Sequence, residues 1–172
     1  MKSKENLDFL GMMGSGKSSI GYLVAKKLNF KFIDIDKEIE KMLGISIKEI
    51  FETKGEEHFR ELEEKITVKK LKLNSTVISL GGGAFINERI RKEILKKHIS
   101  FWLNCSDQVL LDRIRNSSKR PIAYKSSDNE LIEIINKRSS VYSKALCEIK
   151  CDNLTKNEIV KKILKIYEKY KT

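Results

Sequence analysis

The sequence is poor in the residues that usually build metal clusters, disulfides or membrane spans. It contains only two histidines, His58 and His98, which excludes a histidine-rich metal site and disfavours a Ser-His-Asp triad. Its three cysteines have no CxxC spacing, so free thiols in a reducing compartment are expected. No apolar run is long enough to span a bilayer, and the first residues show no signal-peptide pattern. These absences favour a cytoplasmic protein.

What the chain does have is a basic, mixed composition that fits a single domain over residues 1–172. Hydrophobic residues make up 40% and charged residues 34%, which is typical of a globular protein. The net charge of +11 raises the question of a nucleic-acid or membrane partner. Most lysines, however, lie in runs such as "IVKKILKIYEKYK", where the apolar spacing predicts a solvated helix face. We therefore expect a monomer without nucleic-acid or membrane partners.

Short β-like runs alternate with helical patterns along the chain. The strand candidates are "NLDFLG", "FKFIDID", "TVISLGGG", "ISFWLNC" and "CEIKC". Because helix-forming segments separate them, the pattern predicts an α/β fold with a parallel sheet covered by helices. Helices are expected to begin at about Lys17, after a cap at Asp107, and at about Lys156 with an end near Tyr170.

Two segments interrupt this alternation. Residues 37–73 form helical patterns without a strand, which predicts an insertion that serves as a substrate platform. Residues 116–129 are polar and contain the only proline together with Lys119, Arg120 and Lys125. A loop of this length in a compact domain is usually functional, so we predict a lid, with a merely mobile loop as the alternative.

The stretch "GMMGSGKS", residues 11–18, matches the phosphate-loop pattern G-x-x-x-x-G-K-[ST] completely. Its glycines allow backbone N–H groups to turn toward phosphate oxygens, and the helix that follows adds its positive dipole end. Lys17 is predicted to reach the β and γ phosphates, and Ser18 to bind Mg²⁺. The residues predicted to hold the phosphates of ATP are Gly14, Ser15, Gly16, Lys17, Ser18 and Ser19.

An acidic partner for the metal is expected at the end of a strand. The strand "TVISLGGG" offers Ser79 instead of an acid, whereas "FIDID" offers Asp34 and Asp36. Residues two apart share a strand face, so we expect both carboxylates to point the same way, one toward the metal and one toward an acceptor hydroxyl. Helix capping by Asp36 is the alternative, but it leaves Asp34 unexplained.

Features of an acceptor site follow in "EEHFRELEE" and "SLGGGAF". Arg60 and Glu63 are three residues apart on a helical surface, and three glycines after the third strand allow a ligand to approach the backbone closely. An arginine fork beside exposed N–H groups suits a carboxylate better than a neutral sugar. The alternatives are a surface Arg–Glu pair and a flexible strand-exit turn.

Together these motifs resemble the shikimate kinase family over nearly the whole chain. The segments that carry the resemblance are "GMMGSGKSSIG", "FIDIDKEIE", "IKEIFETKGEEHFRELE", "ISLGGGAF", "KRPIA" and "KRSSVY". The resemblance implies a three-layer, nucleoside-monophosphate-kinase-like fold with five parallel strands and helices on both faces. It also implies Mg²⁺- and ATP-dependent phosphorylation of the 3-hydroxyl of shikimate on the route to aromatic amino acids. Alternatives are a gluconate or nucleoside-monophosphate kinase, or a nucleotide-dependent nucleic-acid-binding protein.

The resemblance further implies roles for individual residues. Asp36 resembles the carboxylate that accepts from the shikimate hydroxyls and is a candidate base, and Asp34 resembles the water-mediated Mg²⁺ partner. The implied substrate-binding set is Asp36, Phe51, Phe59, Arg60, Gly82, Gly83 and Arg138, with Glu63 holding Arg60 in place. Arg120 is similar to the lid arginine that closes over the transferred phosphate, so the implied catalytic residues are Asp36, Lys17 and Arg120.

Two positions lie less clearly within the family's pattern. Arg113 resembles the arginine that stacks on adenine, although Arg115 on the same predicted helix is an alternative. Cys147 and Cys151 have no place in the pattern, and we expect them to be free thiols in or near the last strand.

Overall fold

The computed structural model describes residues 6–116 and 126–170 and has the predicted α/β architecture. Its strands are β1 Leu7–Leu10, β2 Lys31–Asp34, β3 Thr76–Ser79, β4 Ile99–Asn104 and β5 Cys147–Lys150. They form one sheet in the order β2–β3–β1–β4–β5, in which every neighbouring pair is parallel. All five strands therefore end at the same edge of the sheet, where α/β folds bind their ligands.

Helices cover both faces of this sheet. In the described residues they are α1 Lys17–Leu28, α2 Ile35–Leu43, α3 Ile47–Lys70, α4 Glu88–Lys97, α5 Asp107–Arg115, α6 Asp128–Tyr142 and α7 Lys156–Tyr170, with a 3-10 helix at Ala84–Ile86. The connection through α1 runs toward β2 and the later connections run the opposite way, so right-handed crossovers place them on opposite faces. Helix α7 packs against α1, which completes the three predicted layers.

The predicted helix starts hold with one exception. Helix α1 begins at Lys17, and α7 spans the predicted Lys156–Tyr170. The predicted cap at Asp107 is wrong by one residue, because Ser106 has the extended cap conformation and Asp107 is already helical. Both residue types occur at helix starts, so the sequence alone does not separate them. None of the helices in the two described ranges is long and apolar enough to cross a membrane.

The two predicted interruptions of the strand–helix alternation differ in how much of them the structure describes. Residues 37–73 fall in α2 and α3, and within this fully described stretch no strand separates the two helices. Most of the predicted lid, including Arg120, lies outside the described residues. Its last two predicted residues, Asp128 and Asn129, already belong to α6.

A buried ionisable pair ties the centre of the sheet to the start of β4. Asp8 in β1 is fully buried, and its Oδ2 lies 2.6 Å from Nδ1 of His98, whose Nε2 faces the carbonyl oxygen of Leu71 at 3.0 Å. Burial raises the pKa of Asp8. Burial alone would lower the pKa of His98, but the hydrogen bond and charge of Asp8 outweigh it and raise that pKa. The folded pair therefore holds its proton more tightly than the unfolded chain does.

We predict that the free energy of unfolding falls as the pH rises above about 6.5. The stabilisation is complete below the unfolded histidine pKa of about 6.5 and is lost as the pH rises through the folded pKa. Asp8→Asn removes one charge of a buried pair, so it should destabilise by about 3–5 kcal/mol and flatten this slope. Denaturant unfolding at a series of pH values measures both effects. His58→Gln is the control and should keep the wild-type slope; an unchanged slope in Asp8→Asn would contradict the prediction.

Candidate active site

The phosphate loop leaves the central strand β1 and turns back on itself before α1. Gly11, Gly14 and Gly16 have φ values of 139°, 85° and 93°, which residues with a side chain rarely adopt. Ser15 lies between two of these turns and is buried. Because α1 begins directly after the loop, its unpaired N–H groups and positive dipole end face the space that the loop encloses. The geometry is that of an anion-binding loop.

The lysine of this loop is held inside it. Lys17 is 8% exposed, and its Nζ donates to the carbonyl oxygens of Gly11 and Met12, both at 2.9 Å. The hydroxyl of Ser19, two residues further along α1, donates to the carbonyl oxygen of Gly16 at 3.1 Å. The ammonium group is thus positioned at the loop before any phosphate binds, and a phosphate can compete with the two carbonyls for it.

The two candidate arginines on α5 make different contacts. Nη1 of Arg113 donates to the carbonyl oxygen of Gly14 at 3.0 Å, which places this side chain against the phosphate loop. Arg115 instead forms an ion pair of 2.6 Å with Asp128 at the start of α6. The position of Arg113 supports it, rather than Arg115, as the residue near the nucleotide.

Ser18, Asp34 and Ser79 line the same cavity between the loop and the neighbouring strands. Ser18 Oγ lies 3.4 Å from Ser79 Oγ, and Ser79 at the end of β3 is the register partner of Asp34 at the end of β2. Two hydroxyls and a carboxylate are hard oxygen ligands of the kind that Mg²⁺ prefers. Ser79, which occupies the strand end where an acidic residue was expected, therefore belongs to this group of oxygen donors.

The prediction that Asp34 and Asp36 share a strand face is wrong, because β2 ends at Asp34 and α2 begins at Ile35. Asp34 is the N-cap of α2, and its Oδ1 accepts from the backbone N–H of Lys37 at 3.3 Å. Asp36 lies in the first helical turn, close to Gly81, where an added Cβ would lie 2.8 Å from its Oδ1. Both carboxylates reach the site from a helix start, and capping applies to Asp34 rather than to Asp36.

The arginine of α3 is fixed by two glutamates. Arg60 Nη1 donates to Oε2 of Glu63 at 2.7 Å, and its Nε and Nη2 donate to Oε1 of Glu56 at 3.2 and 3.1 Å. Glu63 is only 2% exposed, so the alternative of a surface ion pair does not hold. Burial raises the pKa of Glu63, while the charges of Arg60 and Arg138 act against that rise.

The three glycines at 81–83 make room for these charged side chains. A Cβ on Gly81 would clash with Oε1 of Glu63, and a Cβ on Gly83 would lie 2.7 Å from Cζ of Arg60. None of the three has a φ in the left-handed region, so Gly81 and Gly83 are required for space and not for backbone freedom, whereas a Cβ on Gly82 would meet its nearest atoms only at 3.4 Å and beyond. This close packing argues against a merely flexible strand-exit turn.

Sequence reasoning did not single out Tyr142, which fixes the middle of this glycine turn. Its buried hydroxyl donates to the carbonyl oxygen of Gly82, and burial raises the pKa of Tyr142 to about 12, which keeps it a donor. Arg138 lies one turn earlier on α6, and its Nη1 would lie 3.5 Å from a Cβ on Gly82. The four-residue spacing from Arg138 is the signal that could have indicated Tyr142.

Two phenylalanines meet across a kink in α3. The ring centroids of Phe51 and Phe59 are 4.8 Å apart, whereas eight residues of straight helix span about 12 Å. Between them Gly55 adopts φ 82° and ψ 168°, a conformation that is nearly confined to glycine. The kink brings an apolar surface beside Arg60, whose Cζ lies 5.1 Å from the ring centre of Phe59.

These groups line one cavity of about 320 Å³ at the carboxyl edge of the sheet. The predicted site residues that line it are Lys17, Ser18, Asp34, Asp36, Phe51, Phe59, Arg60, Gly82, Gly83 and Arg138. Others that line it include Met13, Glu63 and Ser79. Gly14, Ser15, Gly16, Ser19 and Arg113 lie in or against the phosphate loop instead, and Arg120 lies outside the described residues. The cavity combines a phosphate-loop lysine, paired arginines, aromatic rings and carboxylates.

Comparison with known proteins gives one consistent result. A family model described as shikimate kinase matches residues 13–168. The shikimate kinase of Thermodesulfovibrio yellowstonii is 38% identical over 166 residues, which cover 96% of this chain and 96% of that protein. The shikimate kinase of a Sulfurihydrogenibium species is 40% identical over 160 residues, which cover 93% of this chain and 96% of that protein.

Solved structures agree. A shikimate kinase from Acinetobacter baumannii in complex with shikimate has a TM-score of 0.91 and 27% identity, covering 96% of this chain and 93% of that one. The shikimate kinase of Aquifex aeolicus has a TM-score of 0.85 and 34% identity, covering 95% and 96%. A gluconokinase from Sinorhizobium meliloti has a TM-score of 0.63 at 17% identity, covering 99% and 95%, which shows a shared fold alone.

We predict that Gly55→Asn destabilises the protein by about 1–3 kcal/mol, because its backbone conformation is strained for any residue with a Cβ. Nothing lies within 4 Å of the added Cβ, so the cost comes from the backbone and not from a clash. Gly44→Asn is the matched control: Gly44 ends α2 at φ 71° and ψ 10°, where asparagine is tolerated, so we expect a cost below about 1 kcal/mol. Denaturant unfolding measures both, and equal costs would contradict the proposed kink strain.

Proposed function

The chain belongs to the shikimate kinase family, and from this premise we propose how its residues carry out the reaction. The enzyme is an ATP-dependent small-molecule kinase that transfers the γ-phosphate of ATP to the 3-hydroxyl of shikimate, giving shikimate 3-phosphate and ADP. One observation carries the residue assignment: a single cavity is lined both by Lys17 and Ser18 of the phosphate loop and by the arginines Arg60 and Arg138. Donor and acceptor groups therefore face a common space.

We propose that the arginine side of the cavity binds shikimate. Arg60 and Arg138 grip the carboxylate, while the ring lies against Phe51 and Phe59 and the backbone at Gly82 and Gly83 closes the pocket. The aromatic surface suits a cyclic acceptor better than the open chain of gluconate. Because Glu56 and Glu63 already hold Arg60, little side-chain freedom is lost when the substrate binds.

Asp36 is the proposed acceptor of the hydroxyl proton. It lies in the first turn of α2 beside the glycine turn, and it lines the cavity between the arginines and the phosphate loop. A carboxylate there orients the 3-hydroxyl by accepting its hydrogen bond and takes its proton as the oxygen attacks phosphorus.

The donor side is proposed to act by positioning and charge. Backbone N–H groups of residues 14–19 and the Nζ of Lys17 bind the phosphates of ATP, and Arg113, which donates to the carbonyl oxygen of Gly14 in this loop, stacks on adenine as the family resemblance implies. Arg120 is proposed on the family pattern as the lid arginine over the transferred phosphate. Such groups stabilise the charge that develops on the phosphoryl oxygens, without a covalent intermediate.

Mg²⁺ is proposed to bind beside Ser18 and Asp34. The hydroxyl of Ser18, the register pairing of Asp34 with Ser79 and the hard oxygen donors of all three fit this ion. When bound, Mg²⁺ neutralises charge on the β and γ phosphates. The carboxylate of Asp34 serves the ion while it also caps α2, so one side chain fixes both the helix start and the metal position.

An assay of ADP release tests the acceptor directly. We expect turnover with shikimate and Mg²⁺, and turnover lower by at least about 100-fold with gluconate, which has no ring, or with nucleoside monophosphates, which have no carboxylate for the arginines. Chelation of Mg²⁺ should abolish turnover with shikimate. Equal rates with gluconate, or no turnover with shikimate, would contradict the assignment of shikimate as the acceptor.

Paired substitutions separate the two aspartates. Asp36→Asn removes the proposed base and should lower kcat by about 10²- to 10⁴-fold. Asp34→Asn keeps the helix cap, because asparagine caps as well as aspartate, but should raise the Mg²⁺ concentration needed for half-maximal rate. Steady-state kinetics over a Mg²⁺ titration measures both. Equal Mg²⁺ dependence in wild type and Asp34→Asn would remove that residue from the metal site, and an unchanged kcat in Asp36→Asn would exclude it as base.

A further inference from the structure

Two cysteines lie side by side where the last two strands of the sheet end. Cys105 directly follows β4 and Cys151 directly follows β5, one position beyond the register pair Asn104–Lys150. The backbone N–H of Cys151 donates to the carbonyl oxygen of Asn104 at 2.8 Å. The two side chains are close enough to influence each other, both are buried, and Sγ of Cys151 lies 3.2 Å from the carbonyl oxygen of Ile149.

The surrounding backbone is already held at a spacing that allows a disulfide. Both carboxylate oxygens of Asp152 lie 3.1 Å from the backbone nitrogen of Ser106, which ties the two strand exits together. Neighbouring strands are about 4.7–4.9 Å apart, within the range of about 4.4–6.8 Å between the Cα atoms of bonded cysteines. A bond between the thiols therefore requires side-chain rotation and not separation of the strands.

Cys105 also contacts the nucleotide side of the site. Its Sγ lies 3.9 Å from the carbonyl oxygen of Ser15 and 3.8 Å from Nη1 of Arg113. The same arginine nitrogen donates to the carbonyl oxygen of Gly14 at 3.0 Å. Arg113 thus connects the thiol to the phosphate loop, so a change at Cys105 alters contacts of both the arginine and the loop.

The two thiols differ in reactivity. The hydrogen bond from Cys151 lowers the pKa of Cys105, and the charge of Arg113 adds to this against the effect of burial. The neighbouring Cys105 and burial raise the pKa of Cys151. The lower-pKa thiol is the better source of thiolate, so Cys105 is the attacking sulfur and Cys151 the resolving one.

We propose that Cys105 and Cys151 form a redox-sensitive pair, and that its oxidation by a peroxide to a disulfide weakens nucleotide binding at the phosphate loop. The proposal rests on the proposed placement of ATP at residues 14–19 and Arg113. In the disulfide, the sulfur of Cys105 turns toward Cys151 and loses its contacts with Ser15 and Arg113. The phosphate loop and Arg113 then no longer share a contact with this sulfur.

The chemistry is balanced with hydrogen peroxide as oxidant. The Cys105 thiolate attacks one peroxide oxygen; an S–O bond forms, the O–O bond breaks, and hydroxide leaves and is protonated to water. The Cys151 thiol then attacks the sulfenic sulfur; the S–S bond forms, the S–O bond breaks, and a second water leaves. Together the two thiols lose two electrons and two protons, and one peroxide becomes two waters.

Binding and oxidation are linked in both directions. If the disulfide weakens nucleotide affinity by a given factor, bound nucleotide disfavours the disulfide by the same factor. We expect the dissociation constant for ADP to rise by about tenfold or more on oxidation, because small displacements of a positioned site are costly. We also expect saturating ADP to protect the two thiols from peroxide.

The test uses the full chain, reduced and then treated with hydrogen peroxide with or without ADP. Titratable thiols should fall from three to one, and peptide mapping should find Cys105 linked to Cys151. Calorimetry should show the weaker ADP binding, and dithiothreitol should restore it. Cys147→Ser is the matched control and should respond like wild type. Cys151→Ser should form no link and should accumulate a sulfenic acid at Cys105, which dimedone traps.

Two results would overturn the proposal: no link between Cys105 and Cys151 under peroxide, or a mapped link that leaves ADP affinity unchanged. Cys151→Ser leaves the contacts of Cys105 in place, because the hydrogen bonds of Cys151 run to the carbonyl oxygens of Asn104 and Ile149 and not to the phosphate loop. Shikimate turnover by the reduced chain is measured separately. If the reduced chain does not turn over shikimate but oxidation still weakens ADP binding, the proposed acceptor is refuted and the proposal for the thiol pair is supported.

Discussion

The acceptor pocket depends on one interaction, the burial of the Glu63 carboxylate against Arg60. One oxygen of Glu63 accepts from Arg60 at 2.7 Å, while Oε1 is buried without a hydrogen-bond partner among the described residues. Burying a carboxylate without a compensating charge costs free energy, so Glu63 requires Arg60 for its burial. In turn, Glu63 orients Arg60. Because Glu56 binds the other guanidinium nitrogens, Arg60 is restrained before substrate arrives. Gly81 and Gly83 are a consequence, since side chains at these positions would occupy the space of Glu63 and Arg60.

Most of the fold could be predicted because its signals are local. The phosphate-loop motif, the alternation of strands and helices and the start of α1 each depend on a few adjacent residues. The end of β2 could not be located in this way. Ile33 and Ile35 alternate as in a strand, while Ile35 and Ile39 are spaced as in a helix, and all three are buried. Ile35 satisfies both periods, so the sequence does not show that the strand stops before it.

The sequence predicted which residues lie together at the cavity, but it did not predict the geometry in which they lie. Charged and glycine residues were placed together by motif, but the reason for each glycine depends on contacts distant in sequence. The loop glycines are required by backbone φ, Gly81 and Gly83 by neighbouring charged side chains, and Gly55 by a helix kink. No local pattern separates these three requirements. The kink was missed because the helical periods on either side of Gly55 join into what looks like one helix.

Donor and acceptor functions are carried by different parts of the chain, and this division explains how one fold serves kinases with different acceptors. The phosphate loop follows the central strand and would serve any nucleoside triphosphate, whereas the proposed acceptor contacts come from α3, the glycine turn after β3, Asp36 in α2 and Arg138 in α6. The thiol pair lies at the ends of β4 and β5, on the other side of the central strand from α3. Oxidation there acts on the donor half, so it changes nucleotide affinity without altering which acceptor the enzyme selects.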